Sequence, residues 1–133
     1  MYLLDTNAIS ELRRKRPPVR QWLEARAPKE LFVSVISLGE IEKGIRRAAS
    51  NDDAFSVRLE HWLTETRDLF AANTLPVTAE IALAWGRIAA GRTRDTADAL
   101  IAATALVHSL TLVTRNTRDF ADLPLRLLDP WAS

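Results

Sequence analysis

Apolar residues along the chain occur either in short continuous runs or in longer stretches with helical spacing. Short runs at residues 2–4, 31–36 and 112–114 predict buried strands, because strands covered on both faces are apolar without interruption. Together with weaker signals, the strands are expected at 1–4, 31–35, 74–76, 111–114 and 125–128. The helices are expected at 6–12, 18–27, 37–48, 53–72, 78–90 and 96–109. This alternation predicts an α/β fold with a mostly parallel central sheet between two helical layers.

Two of the predicted helices carry apolar stripes at helical spacing. The first stripe contains Leu59, Trp62, Leu63, Thr66, Leu69 and Phe70. The second contains Ile81, Leu83, Ala84, Trp85 and Ile88. Such stripes are typical of core packing, although part of each is also compatible with a subunit contact, where aromatic residues are favoured.

Length and composition exclude several classes of protein. With 133 residues the chain is expected to form one domain spanning 1–133. It has no cysteine, which excludes disulfides and thiolate metal sites. The formal net charge is +1, so any affinity for nucleic acid must come from local basic patches. With no signal peptide and no apolar stretch of membrane-spanning length, we expect a soluble, cytoplasmic protein that does not enter a membrane.

Four acidic residues lie close to the predicted junctions between strands and helices. Asp5 follows the first strand, Glu40 and Asp119 come shortly after later strands, and Asp98 opens a long helix. Because the carboxyl ends of strands in an open α/β sheet face one crevice, these acids are expected to share a site. Grouped carboxylates repel one another unless a cation compensates them, and hard oxygen ligands favour Mg²⁺ or Mn²⁺. The expected chemistry is metal-assisted phosphodiester hydrolysis.

Each of these acids also has a purely structural explanation. The sequence Ser37-Leu38-Gly39-Glu40 matches a capping box, and Asp5 is placed to cap the helix that follows it. Capping alone does not require acids at several strand ends, so a common site remains the interpretation that accounts for all four. Polar neighbours are expected to orient the carboxylates or metal-bound waters; they are Thr6, Asn7, Ser37, Thr114 and Asn116.

Arginines next to the acidic residues are candidates for contacts with a phosphate backbone. They are Arg92, Arg94, Arg115 and Arg118, and the alternative for each is an ordinary surface arginine.

Sequence signatures of dinucleotide binding, P-loop phosphate binding and serine hydrolases are absent from the chain.

The motifs around the acids closely resemble those of the PIN-domain ribonucleases, and within them the VapC or FitB-like toxins of type II toxin–antitoxin systems. The resemblance runs nearly end to end. It rests on four segments: Leu3-Leu4-Asp5-Thr6-Asn7-Ala8-Ile9-Ser10-Glu11, Ser37-Leu38-Gly39-Glu40-Ile41-Glu42-Lys43-Gly44, Asp98-Ala99-Leu100-Ile101-Ala102-Ala103-Thr104-Ala105 and Leu112-Val113-Thr114-Arg115-Asn116-Thr117-Arg118-Asp119-Phe120.

This resemblance implies a three-layer α/β/α PIN-like fold, often dimeric, and a metal-dependent endoribonuclease that hydrolyses RNA. It further implies that Asp5 and Asp98 hold Mg²⁺ or Mn²⁺ with support from Glu40 and Asp119, and that a small antitoxin protein blocks the acidic pocket. One departure is Asn116, since many relatives carry an aspartate there, which makes occupancy of a second metal position less certain. The alternatives are a non-catalytic RNA- or protein-binding module and a metal-dependent phosphatase for small esters.

Overall fold

Five parallel strands form the central sheet of the computed structural model, which describes residues 1–132. Ser133, the last residue of the expected domain, lies outside the described residues. The strands are β1 (Tyr2–Leu4), β2 (Leu31–Ser34), β3 (Thr74–Leu75), β4 (Thr111–Val113) and β5 (Leu127–Leu128). Their order in the sheet is β3-β2-β1-β4-β5, and every recorded pairing is parallel. The predicted parallel sheet is therefore confirmed, with β1 at its centre.

Seven α-helices connect and cover these strands within residues 1–132. They are α1 (Thr6–Arg14), α2 (Pro17–Glu24), α3 (Val35–Ala49), α4 (Asp53–Leu69), α5 (Ala79–Gly91), α6 (Thr96–His108) and α7 (Thr117–Phe120). The first six were expected from the apolar spacing, whereas α7 and the 3₁₀ turns Pro28–Glu30 and Ala71–Asn73 were not. In the described part of the chain, no helix is both long enough and apolar enough to cross a membrane.

The sheet has a hydrophobic core on each of its faces. Successive side chains of a strand point to opposite faces, and Leu3 and Leu4 are accordingly buried in two different clusters. Leu3 and Leu112 pack with residues of α5 and α6, while Leu4 and Val113 pack with residues of α1 to α4. The three-layer α/β/α arrangement is therefore confirmed.

The start of α3 differs from the expected capping box. Ser34 is the N-cap residue, and its hydroxyl accepts a hydrogen bond from the Ile36 N–H at 3.0 Å. The helix therefore begins at Val35 instead of Ser37, which places Ser37 inside the first turn and Glu40 in the second. The capping explanation for Ser37 and Glu40 is wrong, because a serine already stands at the end of β2 where the backbone is still extended.

Most residues of the two apolar stripes are buried, but each stripe has one exposed member. Leu63, Thr66 and Phe70 are buried on α4, whereas Leu69 is 63% exposed. On α5, Ile81, Ala84 and Ile88 are buried, whereas Leu83 is 66% exposed. Both leucines lie outside the two hydrophobic core clusters, so the core explanation fails for these two positions.

Truncation of a side chain in the sheet core should destabilise the protein far more than truncation of an exposed leucine. Leu112 has no exposed surface, so Leu112→Ala is expected to lower the free energy of unfolding by about 2–5 kcal/mol through the cavity that it leaves. The matched variant Leu69→Ala should change it by no more than about 0.5 kcal/mol. Urea unfolding followed by circular dichroism measures both values, and equal losses would contradict this division of the core.

Candidate active site

The four acidic residues predicted from the sequence come together at the carboxyl edge of the sheet. Asp5 follows β1 directly, and its N–H donates to the Val113 carbonyl on β4 at 3.0 Å. Glu40 lies on α3, Asp98 in the first turn of α6 and Asp119 on α7. The carboxylate of Asp98 is close enough to those of Asp5, Glu40 and Asp119 for all three to raise its pKa. The order in which strands are added to the sheet reverses between β1 and β4, and open parallel sheets bind ligands in the crevice at such a point.

Asp5 is held rigidly at the bottom of this site. Its side chain is only 9% exposed, and Oδ1 accepts a hydrogen bond from the Ala8 N–H at 2.8 Å as the N-cap of α1. Burial raises the pKa of Asp5, and the negative charge of Glu40 raises it further, while hydrogen bonds from the Ala8 N–H and the Thr114 hydroxyl oppose the change. Asp5 therefore caps α1 and also belongs to the acidic cluster, so its structural role as a helix cap does not exclude a role in the site.

Glu40 is oriented by a hydroxyl from a different helix. The Thr6 hydroxyl donates to Glu40 Oε1 at 2.6 Å and lies 3.1 Å from the Ser37 hydroxyl. Ser37 is completely buried, so this contact joins the first turns of α1 and α3 beneath the site. A short bond to a carboxylate is stronger than a bond between neutral groups. Thr6 and Ser37 thus restrict the position of Glu40 without neutralising its charge.

Asp98 has the most strongly perturbed carboxyl group of the four. Asp95 caps α6 by accepting a hydrogen bond from the Asp98 N–H at 3.1 Å, which brings a second acid beside it. The pKa of Asp98 is raised to about 6, mainly by burial and then by the negative charges of Asp95, Glu40, Asp5 and Asp119. Asp95, Asp98 and Asp119 also line a cleft of about 240 Å³. This cleft is the accessible side of the acidic cluster.

None of the four carboxylates forms an ion pair with a lysine or arginine among residues 1–132. Nor does this part of the chain contain three or more acidic or histidine side chains in a preformed metal-binding group. The donor set nevertheless suits a hard divalent cation, because it consists of uncompensated carboxylates that repel one another. Asp5 and Asp98 are the residues that could hold such an ion, with Glu40 and Asp119 as further candidates.

The other polar residues expected at the site occupy different positions around it. Thr114 is fully buried at the end of β4, and its hydroxyl also accepts from the Asn116 N–H at 3.1 Å. Asn116 is exposed as the N-cap of α7, without a side-chain capping bond. Asn7 is exposed in the first turn of α1. Thr6 and Thr114 therefore contact the acids through their hydroxyls, and the Asn7 N–H donates to Asp5, while the Asn116 side chain lies at the surface nearby.

Of the four arginines expected to contact a phosphate backbone, three are exposed and one is not. Arg92, Arg115 and Arg118 lie at the surface, with Arg115 placed 5.6 Å from the centre of the Trp131 ring. The Arg94 side chain is only 5% exposed and is paired with Asp122. The guanidinium of Arg94 is buried and its charge is compensated, an arrangement that differs from the exposed guanidinium expected of an RNA contact. Asp122 was not predicted from the sequence, because it lies 28 residues from Arg94 and belongs to no local motif.

Comparison with known proteins identifies similar chains of nearly equal length. Plasmid stability protein StbB of Pseudomonas syringae pv. tomato is 35% identical, with 98% of this chain and 99% of the relative covered. Toxin FitB of Neisseria gonorrhoeae is 33% identical, again with 98% of this chain and 99% of the relative covered. VapC ribonuclease Y4jK of Sinorhizobium fredii is 31% identical over 98% of both chains.

Solved structures resemble this fold over almost the whole chain. The crystal structure of FitAcB from Neisseria gonorrhoeae superposes with a TM-score of 0.88 at 33% identity, covering 100% of both chains. A toxin–antitoxin complex from Klebsiella pneumoniae gives a TM-score of 0.74 at 30% identity, covering 98% of both. The family described as PIN domain matches residues 2–125. The order of the strands and the acids at the carboxyl edge of the sheet agree with this match. The chain therefore belongs to the PIN-domain family.

Proposed function

We propose that the protein is a metal-dependent endoribonuclease that hydrolyses RNA phosphodiester bonds and is the toxin of a toxin–antitoxin pair. The observation that carries this proposal is the group of four carboxylates, all without a basic partner among residues 1–132, at the carboxyl edge of the sheet. Similarity to a VapC ribonuclease and to a toxin supports the reaction and the biological role. The protein acts as a single domain, in the cytoplasm, where its RNA substrate is found.

PIN-domain ribonucleases depend on divalent metal ions, and Mg²⁺ or Mn²⁺ is the ion proposed for this site. Asp5 and Asp98 are its principal ligands, and Glu40 and Asp119 support it directly or through water. When bound, such an ion would act as a Lewis acid toward the scissile phosphate and would lower the pKa of the attacking water. Asn116 carries no charge, so we expect one firmly held ion and a weaker second one.

The chain itself supplies orientation and a binding surface. Thr6 and Thr114 hold Glu40 and Asp5 in place through their hydroxyls. Asn7 and Asn116 border the acidic cluster with neutral polar groups, which can orient a water molecule or an RNA oxygen. Arg115 and Arg118 lie on the loop and helix that carry Asp119, and Arg92 lies beside the cleft, so these exposed guanidinium groups bind the RNA backbone.

An antitoxin protein is the proposed inhibitor, because the similar chain from Klebsiella pneumoniae forms part of a toxin–antitoxin complex.

We also propose a homodimer formed through the exposed side of α5. Leu83 is 66% exposed there, beside a groove lined by Ala84, Ile88, Leu106 and Val107. Glu80 and Arg87 are both exposed and lie two helical turns apart on this side. In an antiparallel pair of α5 helices, Glu80 would face Arg87 of the partner subunit.

Removing a principal carboxylate should abolish cleavage without unfolding the protein. We expect Asp98→Asn to lower the rate of RNA cleavage by on the order of 100-fold or more, because a neutral amide is a poor ligand for a hard cation. The control Asp68→Asn removes an exposed carboxylate on α4 and should leave cleavage unchanged. A mixed RNA pool with Mg²⁺ or Mn²⁺, compared with EDTA, measures the effect.

Several outcomes of this assay would contradict the proposal. Full activity of folded Asp98→Asn would remove Asp98 from the site. No cleavage by folded wild-type protein free of antitoxin would favour a non-catalytic binding module. Faster hydrolysis of a chromogenic phosphate ester than of RNA would favour a small-molecule phosphatase.

The raised pKa of Asp98 has a consequence for stability in the absence of metal. The folded protein holds this proton up to about pH 6, whereas the ordinary pKa is 3.8, so ionisation of Asp98 opposes folding above pH 6. We expect Asp98→Asn to melt at a higher temperature than wild type in EDTA at about pH 7.5. The difference in melting temperature between Asp98→Asn and wild type should shrink as the pH falls. It should vanish below pH 3.8, where Asp98 is protonated in both the folded and the unfolded protein. An Asp98→Asn variant that melts at a lower temperature than wild type at neutral pH would contradict the raised pKa assigned to Asp98.

Substitutions on α5 test the proposed dimer. Leu83→Glu should convert the protein to a monomer, because it places a carboxylate in the apolar centre of the interface. Val57→Glu alters an exposed valine on α4 and should leave the dimer intact. Glu80→Arg or Arg87→Glu alone should weaken association, and the two together should restore it. Light scattering after size exclusion gives the mass, and a wild-type monomer at all concentrations would disprove the interface.

A further inference from the structure

Arg94 is a buried cation next to the acidic cluster, and no expected role accounts for it. Its side chain is 5% exposed, and it belongs to the segment between α5 and α6, immediately before the N-cap residue Asp95. It lines the same cleft as Asp98 and Asp119. A buried guanidinium needs compensating partners, since an unpaired buried charge is strongly unfavourable. The partners of Arg94 therefore indicate what this side chain does.

Both terminal nitrogens of Arg94 bind the segment that carries Asp119. Nη1 donates to the backbone carbonyl of Asp119, and Nη2 forms an ion pair with Asp122 Oδ2. These two acceptors lie on either side of Phe120, which is buried in the core. The Asp119 carboxylate itself has no ion pair with Arg94 or with any other basic residue in the described chain. Arg94 thus binds the backbone of Asp119 and leaves its side chain free.

The helix that carries Asp119 depends on such contacts for its position. Helix α7 contains only four residues, and its N-cap residue Asn116 makes no side-chain capping bond. A single helical turn has little stability of its own, because nucleation is unfavourable and few hydrogen bonds form. The orientation of α7 is therefore determined by Phe120 in the core and by the buried Arg94 side chain.

We propose that Arg94 is a positioning residue that holds Asp119 across the cleft from Asp98 by binding the Asp119 carbonyl and the Asp122 carboxylate. The planar guanidinium reaches two acceptors in a fixed geometry, which a lysine ammonium cannot reproduce. The inference rests on the proposed function and extends it, because the acid that Arg94 positions is a supporting metal ligand. Arg94 acts through Asp119 and does not contact the RNA.

Metal affinity tests this role independently of cleavage. Electron paramagnetic resonance of free Mn²⁺ gives the Kd of wild type, Arg94→Gln and Arg94→Lys, with melting in EDTA as the check on folding. Both variants should bind Mn²⁺ roughly 10- to 100-fold more weakly, as expected when a residue that orients a ligand is lost. Arg126→Gln is the matched control, since Arg126 is exposed and donates to the Ser109 carbonyl at 3.3 Å but makes no hydrogen bond to Asp119. Its Mn²⁺ Kd should equal that of wild type.

A double-mutant cycle with Asp119→Asn separates positioning from general stabilisation. If Arg94 acts through Asp119, Arg94→Gln should have no further effect on Mn²⁺ affinity once Asp119 is neutral. An equal loss in both backgrounds, or a folded Arg94→Gln with wild-type affinity, would overturn the inference. If Arg94→Gln fails to fold, Asp122→Asn replaces it in the same cycle with the same expectations. Absence of Mn²⁺ binding by wild type would instead disprove the proposed function, and the positioning role with it.

Discussion

Electrostatic repulsion between carboxylates at the end of a parallel sheet is the constraint on which the rest of the site depends. Strand β1 lies at the centre of the sheet, so the residue that follows it, Asp5, faces the crevice between β1 and β4. Helices α3 and α6 bring Glu40 and Asp98 to the same place. Burial of Asp98, together with the resulting repulsion, raises its pKa to about 6, so its ionisation opposes folding at neutral pH. Hydrophobic cores on both faces of the sheet offset this unfavourable term.

The polar groups that support the acids preserve their negative charge. Hydroxyl groups of Thr6 and Thr114 bind Glu40 and Asp5, and a hydroxyl restricts a carboxylate without neutralising it. Arg94, the buried cation beside the cleft, is paired with Asp122 and binds the main chain at Asp119. A site arranged in this way retains the negative potential that attracts a divalent cation. Ion pairs at these carboxylates would have stabilised the fold more simply, but they would compete with any cation that binds there.

Local features of the sequence predicted most of the architecture, and the differences have identifiable causes. Continuous apolar runs located three of the five strands and weaker signals located the other two, while helical spacing located six helices to within a few residues. The start of α3 was misplaced because two serines, Ser34 and Ser37, both satisfy the rule for a helix N-cap. Helix α7 was missed because one turn is too short to produce a periodic signal. The exposure of Leu69 and Leu83 was unexpected because spacing identifies an apolar face but not its limits.

The sequence by itself determined the fold class and the four acids, because strand ends and helix starts are encoded by neighbouring residues and parallel strands must present their carboxyl ends together. Only the tertiary structure decided how those acids are supported. The contact of Thr6 with Glu40 spans 34 residues, and the ion pair of Arg94 with Asp122 spans 28. Such pairs join elements that meet only after the chain has folded. No local pattern could therefore distinguish the buried Arg94 from the exposed Arg92, although the two stand only two positions apart.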